Sequence, residues 1–245
     1  MMDAPLVAEN VSRSFGVELA IDRLDLRVEE STIHAIVGLN GAGKTTLMRL
    51  LLGMLRPDAG TATIFGHQAT SAPASIWARV GHLIETPFAY RELTVQENLM
   101  AAAILHGMDY RDAHLAVGRS ITEFELGQWA ERRAATLSQG NRQRLGLASA
   151  LVHQPTVVVL DEPANSLDPA GVVFTREILQ RLSAQGAAVL VSSHHLDQLA
   201  RVADHISVMH RGSIVGQLDP SGTNLEETFF ETVNTADAIR SKVAG

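Results

Sequence analysis

Apolar and polar residues alternate imperfectly over Leu6 to Val11 and again over Leu24 to Val28, as they do in strands buried on one face. Phe15-Gly16 falls in the turn region between them, so an antiparallel subsheet is expected at the start of the chain. The next apolar stretch, Ile33-His34-Ala35-Ile36-Val37, is a short strand that runs into a glycine-rich turn. Beyond it Leu47, Leu50, Leu51 and Met54 recur at helical spacing, and Gly53 with Arg56-Pro57-Asp58-Ala59-Gly60 ends that helix. Thr61 to Phe65 and Arg79 to Ile84 read as strands, the second closing on Glu85-Thr86-Pro87, where proline forces the backbone out of helical space.

From about Thr94 to Val152 the character changes. Helix formers dominate, and Thr94-Val95-Gln96-Glu97 forms a capping box ahead of an apolar face. The last helix of this stretch is expected to start near Ser138, with Leu145, Leu147, Ala148 and Leu151 as its buried stripe. Strand patterns return at Thr156 to Leu160, Ala187 to Val191, His205 to Met209 and Ser213 to Gln217, with helices from Pro169 and Leu196 between them. Residues 225–245 read as a short helix and a frayed tail. Strand and helix in alternation predict an α/β fold with a mostly parallel sheet, right-handed crossovers and a helical insertion.

Composition narrows the classes of function. The chain has 245 residues, 46% hydrophobic and 19% charged, which suits a globular protein with a sizeable core. No window approaches the roughly 18 uninterrupted apolar residues of a membrane-spanning helix. Met1-Met2-Asp3-Ala4-Pro5 lacks a basic region followed by an apolar stretch, so the chain is expected neither to cross a membrane nor to be secreted. The absence of cysteine removes disulfides, thiolate catalysis and Cys-ligated zinc. A net charge of −7 argues against a nucleic-acid partner.

The chemistry centres on Gly38-Leu39-Asn40-Gly41-Ala42-Gly43-Lys44-Thr45-Thr46. A strand, then glycines at this spacing, then Lys-Thr at a helix start are the parts of a phosphate-binding loop. Gly38, Gly41 and Gly43 let the backbone approach phosphate oxygens or take up positive φ, and the exposed amides with the helix dipole attract the anion. Lys44 is suited to the β- and γ-phosphates and Thr45 to Mg²⁺. Only two lysines, Lys44 and Lys242, occur in the chain, so a sequence that otherwise prefers arginine keeps one here. The competing reading is a chance glycine turn before a helix.

Val157-Val158-Val159-Leu160 is a buried strand that ends in Asp161-Glu162. Asp161 is suited to hold Mg²⁺, directly or through water, and Glu162 to orient the water that attacks the γ-phosphate. Alternatively these are ordinary acidic residues where a strand meets solvent. Taken with Leu137-Ser138-Gln139-Gly140-Asn141 and the Gln143-Arg144 that follows, the chain resembles the nucleotide-binding subunits of ATP-binding cassette (ABC) transporters from about Val7 to Gly216. The family's usual signature is Leu-Ser-Gly-Gly-Gln, and two of the five positions depart from it here.

The resemblance implies a P-loop NTPase (RecA-like) core over 1–90 and 153–224 with an N-terminal antiparallel β-subsheet. It also implies a helical subdomain over 91–152 and a terminal helix and tail over 225–245, all in one ATPase domain. ATP and Mg²⁺ are the implied cofactors, with the loop residues Gly38, Asn40, Gly41, Ala42, Gly43, Lys44, Thr45 and Thr46 around the phosphates. Ser138 and Gly140 present a hydroxyl and an amide to the γ-phosphate of the opposite subunit, and a Ser N-cap is an anion site on physical grounds as well. Without that ligand, Ser138 is an N-cap and nothing more. Ser166-Leu167-Asp168 resembles the D-loop that crosses the dimer interface; a cap before Pro169 is compatible with that role.

His194, in Val191-Ser192-Ser193-His194, fits the histidine that faces the γ-phosphate and the attacking water; His195 does not fit by register, and no third ligand is spaced to make the pair a metal site. Phe15 stands where the family stacks an aromatic on adenine, with a buried core residue as the competing reading. Glu85 replaces the family's Q-loop glutamine, which by resemblance links Mg²⁺ and the catalytic water to the membrane partner, so a role on the ion or in coupling is implied; its Ile84-Glu85-Thr86-Pro87 context resembles bacitracin- and lantibiotic-type export ATPases, and an ordinary loop carboxylate is the alternative.

The expected protein is an ATPase that pairs head-to-tail with a second copy and drives a separately encoded integral-membrane permease. It would sit on the inner face of the cell membrane, with the permease docked near Glu85 to Leu99. A non-transport ABC protein that uses ATP as a dimer switch is the alternative, although translation-factor relatives carry two cassettes and a charged linker, and this chain has neither. Lys44, Asp161, Glu162 and His194 together argue against a catalytically silent subunit.

Overall fold

A computed structural model describes residues 4–194 and 196–243. The chain divides into two compact units, one made of residues 1–72 and 176–245 and the other of residues 73–175.

The first unit is built on two sheets. In one, β1 (Leu6–Phe15) lies between β2 (Glu18–Val28) and β4 (Ala59–Ile64), with β5 (His67–Gln68) outside β4, all antiparallel. The other contains β3 (Ile33–Val37), fully buried, with β8 (Ala188–Ser193) and β9 (His205–His210) running parallel to it on either side. The strand β10 (Ser213–Leu218) pairs antiparallel with β9. Asp204 pins the start of β3, since its carboxylate accepts from the Ile33 amide at 2.7 Å. The helix α1 (Lys44–Leu51) buries Leu47, Leu50 and Leu51. The terminal helix α8 (Leu225–Val243) runs for 19 residues. The expectation of a short helix there is corrected: among the described residues of α8 only Phe229 and Val233 reach the core, too narrow a stripe to reveal its length in the apolar pattern. The short α7 (Leu196–Ala200) lies between β8 and β9.

In the second unit α2 (Ala74–Trp77) leads to β6 (Val80–Leu83), which pairs in parallel with β7 (Val157–Asp161). Three helices lie between these strands in sequence, α3 (Val95–Leu105), α4 (Tyr110–Glu123) and α5 (Gln139–Leu151). Thr94 and Glu97 complete the capping box at the head of α3. Gly81 admits the close approach of α5: a Cβ there would stand 2.2 Å from the Ala150 carbonyl oxygen. The helix α6 (Pro169–Ala184) follows β7, capped by Asp168, whose carboxylate accepts from the Gly171 amide.

Candidate functional site

In the first unit, buried β3 ends at Val37 and the chain enters the glycine loop. Each glycine there has a different physical reason. A Cβ on Gly38 would lie 2.3 Å from the Met209 carbonyl oxygen, so the space excluded is that of the β9 backbone. Gly41 has φ +80° with nothing within 4 Å of a Cβ, so backbone freedom is what glycine supplies. Gly43 combines both, with φ +106° and a Cβ position 2.8 Å from the Ala20 carbonyl oxygen.

Gly43 is also the N-cap of α1 and has no side chain to cap the helix. The loop thus ends at the N-terminus of α1, where backbone amides and the helix dipole attract anions. Lys44 is buried, and its ammonium donates to the Gly38 carbonyl at 2.7 Å and to the Leu39 carbonyl at 3.4 Å. The one positive charge of the loop is thus folded back over the loop's own carbonyls. Ala42 is buried, Asn40 and Gly41 are exposed, and Thr45 and Thr46 are half-buried.

A cavity of about 500 Å³ opens beside the loop, lined by Gly38, Leu39, Asn40, His194 and Phe230 among others, so His194 and the loop face one space. His195 lies outside the described residues. Phe15 is 47% exposed at the end of β1 with the Arg13 guanidinium 5.1 Å from its ring centre, so it is not a core residue.

The second unit holds the remaining site residues. Asp161 ends β7 and is buried, and Glu162 follows with φ +51°. Ser166 takes φ +68° and Glu85, past the end of β6, takes φ +60°. Left-handed backbone at non-glycine residues persists where neighbours hold it. Here Gln143 of α5, itself buried, donates from Nε2 to the Pro163 carbonyl at 2.9 Å, and Gln139 donates to the Ser166 hydroxyl at 2.7 Å. Ser138 is the N-cap of α5, its hydroxyl accepting from the Asn141 amide at 3.3 Å. Gly140 lies close to the Ser166 carbonyl, 3.4 Å from where a Cβ would stand. Ser138, Gly140, Asp161, Glu162 and Asp168 therefore come together in one unit, joined by two glutamines.

Two supports were not legible as site residues. Gln143 looked like part of a motif's tail. Asn98, buried on α3, bonds both backbone groups of Tyr90 and the Leu93 and Thr94 carbonyls, so it sets the path of the loop that follows Glu85. A buried Asn on an otherwise apolar helix face is the signal that could have found it.

Residues 21–165 match the family model described as ABC transporter. The chain is 36% identical to the bacitracin transport ATP-binding protein BcrA of Enterococcus faecalis, over 99% of this chain and 79% of that protein. The chain belongs to the ABC transporter family. A second relative of this ABC chain is the daunorubicin resistance ATP-binding protein DrrA3 of Streptomyces coeruleorubidus, 34% identical over 89% of this chain and 71% of that one. Among solved structures, an ATP-binding subunit of an ABC transporter superposes with a TM-score of 0.86 at 27% identity, covering 94% of this chain and 99% of that one. The RecA-like P-loop fold and an ATPase activity coupled to transport follow for the chain. ATP is the family's nucleotide, with Mg²⁺ generally required. Oxygen donors of the kind Mg²⁺ takes occur in each unit, the Thr45 hydroxyl in the first and the Asp161 carboxylate in the second. Among the described residues no helix is long and apolar enough to cross a membrane.

Proposed function

We propose that this ABC chain pairs head-to-tail with a second copy around two Mg·ATP and drives a separately encoded integral-membrane permease that exports a drug, peptide antibiotic or similar compound. The observation that carries the reading is the phosphate loop itself, its Gly38 fitted against the β9 backbone and its buried Lys44 ammonium held among its own carbonyls at the head of α1. The names of the bacitracin and daunorubicin relatives support the export class.

In this reading Lys44 and the amides of residues 41–46 bind the phosphates, Phe15 stacks on adenine, and Thr45 and Asp161 hold Mg²⁺. When bound, the ion would supply positive charge that offsets the charge of the phosphates. Glu162 orients and polarises the attacking water, and His194 holds the γ-phosphate side of that water. Catalysis is then positioning and charge stabilisation, as in phosphoryl transfer generally. Ser138, Gly140 and Asp168 serve the site of the partner copy, and Glu85 acts on Mg²⁺. Residues 1–245 thereby work as a single ATPase domain on the cytoplasmic face of the membrane.

The permease is seated on the second unit. A cavity of about 520 Å³ is lined by Thr86, Pro87, Phe88, Arg91 and Arg142, and Phe88 is 72% exposed beside Tyr90. Affinity purification of the chain from detergent-solubilised membranes, followed by identification of what travels with it, tests the assignment. An integral-membrane protein is the expected companion; recovery with ribosomes or with no membrane protein favours a nucleotide-switched scaffold instead.

A further inference from the structure

The phosphate loop rests on the β9–β10 hairpin, and the terminal helix α8 grips the turn of that hairpin. The Gly212 amide donates to the Ala42 carbonyl at 2.9 Å, the Met209 carbonyl roofs Gly38, and the Met209 methyl group lies 2.8 Å from a Cβ position on Gly43. The turn has two residues, Arg211 with φ +45° and Gly212 with φ +81°, the dihedral signs of a type I′ hairpin. That turn favours Asn or Gly at its first position, and an arginine there holds left-handed backbone only with outside support.

The support comes from α8. Asp237 Oδ1 lies 3.0 Å from His210 Nε2 and 3.2 Å from Arg211 Nε, and Arg240 donates to the Arg211 carbonyl at 3.4 Å. Arg240 also reaches Asp22 at 3.7 Å, and the Asp22 amide donates to the Gly212 carbonyl at 2.9 Å. The hydrogen bond from His210, with Arg211 and Arg240 nearby, holds the Asp237 carboxyl below the usual carboxylate range. Elsewhere α8 touches the hairpin through Thr232 against Gly216, where a Cβ would lie 2.7 Å from the Thr232 methyl group. A cavity of about 720 Å³ opens beside these contacts, lined by Asp22, His210, Ser213, Thr232 and Arg240 among others.

We infer that Asp237 is a positioning residue for nucleotide binding: by clamping His210 and Arg211 it fixes the Gly212 amide on Ala42 and so pre-forms the phosphate loop. This rests on the reading that the loop binds nucleotide. A loop that must be re-formed at each binding event weakens ground state and transition state alike, which raises KM and leaves kcat in place.

The test uses the purified full-length chain, with ATP turnover and equilibrium ADP binding measured for wild type, Asp237→Ala, Asp237→Glu, Glu227→Gln and Lys44→Ala. Asp237→Ala should raise the ATP KM and the ADP Kd about tenfold, with kcat within twofold of wild type. Asp237→Glu should recover most of the affinity, and Glu227→Gln, elsewhere on α8, should match wild type. If Lys44→Ala destroys binding while Asp237→Ala leaves it intact, the clamp is refuted and the loop assignment stands. Loss of kcat together with affinity, without recovery in Asp237→Glu, also refutes it, since that marks general damage to the fold. Unchanged binding in Lys44→Ala overturns both.

Discussion

Gly38 and Gly41 are both glycines of one loop, yet the structure separates what a methyl group would do at each. At Gly38 the added carbon falls 2.3 Å from the Met209 carbonyl oxygen and 3.1 Å from the Ala42 Cβ. A comfortable carbon–oxygen contact is about 3.3 Å, so β9 or the loop must yield by about 1 Å. The strand β9 has little room to retreat, because β3 pairs with it on one side and β10 on the other. Overpacking of this kind costs about 1–3 kcal/mol, and a displaced Gly212–Ala42 hydrogen bond adds about 1 kcal/mol. Gly38→Ala is therefore expected to destabilise the chain by about 3 kcal/mol. At Gly41 the methyl meets nothing, and the cost is that of holding an L-residue at φ +80°, about 1 kcal/mol. Urea denaturation without nucleotide should place both midpoints below wild type, with Gly38→Ala lower by several tenths of a molar or more. Equal losses for the two, or a Gly38→Ala chain as stable as wild type, would falsify the claim that β9 and not the phosphate dictates the first glycine.

Three further outcomes are expected. Glu162→Gln should bind ATP but turn it over at least a hundredfold more slowly, accumulating an ATP-bound dimer visible by light scattering; full activity would assign the water to another group. Glu85→Gln should weaken the Mg²⁺ dependence of turnover while sparing the dimer, because the amide keeps the shape and loses the charge; superimposable Mg²⁺ titrations rule out a metal role. His34 is buried and bonded to the Ser207 hydroxyl, and burial, with His205 nearby, lowers its pKa to about 4 from 6.5. The unfolded chain then binds the extra proton between those values, so stability falls as pH drops from about 6.5 towards 4. The loss at this residue is about 2 kcal/mol between pH 7 and pH 5, and His34→Gln should flatten the stability profile in urea by that much.

What was legible in the chain was local. The phosphate loop declares itself because strand, glycines, lysine and helix lie within 14 residues, and Ser138 and the Thr94–Glu97 capping box likewise satisfy bonds within one turn. Strand lengths were less legible. The strand β1 runs on to Phe15 and β2 starts at Glu18, but register shifts between Ala8 and Val11 and between Val11 and Arg13 break the period-two pattern. The least legible features are contacts made at long range. Met209 and Gly212 shape a loop that lies some 170 residues earlier, and no pattern near Gly38 announces a carbonyl above it. The hold of Gln143 on Pro163 joins two motifs that the sequence presents separately.

That last contact explains why the signature helix matters to the carboxylates of its own unit. Glu162 and Ser166 both hold left-handed backbone, a conformation that costs an L-residue about 1–2 kcal/mol each. Such a loop stays in place only if bonds elsewhere offset that cost. The Asn165 amide closes one turn on the Glu162 carbonyl at 3.0 Å, and the two glutamines of α5 hold the loop at Pro163 and Ser166. Both glutamines sit on the first two turns of the helix that Ser138 caps. A helix is stiff over that distance, so a displacement at Ser138 is carried to Pro163 through Gln143 with no intervening flexible element. Under the proposed roles, the residue that faces a partner's nucleotide, Ser138, is thus joined within one unit to the loop of the water-activating Glu162 through Gln143, which lies five residues after Ser138.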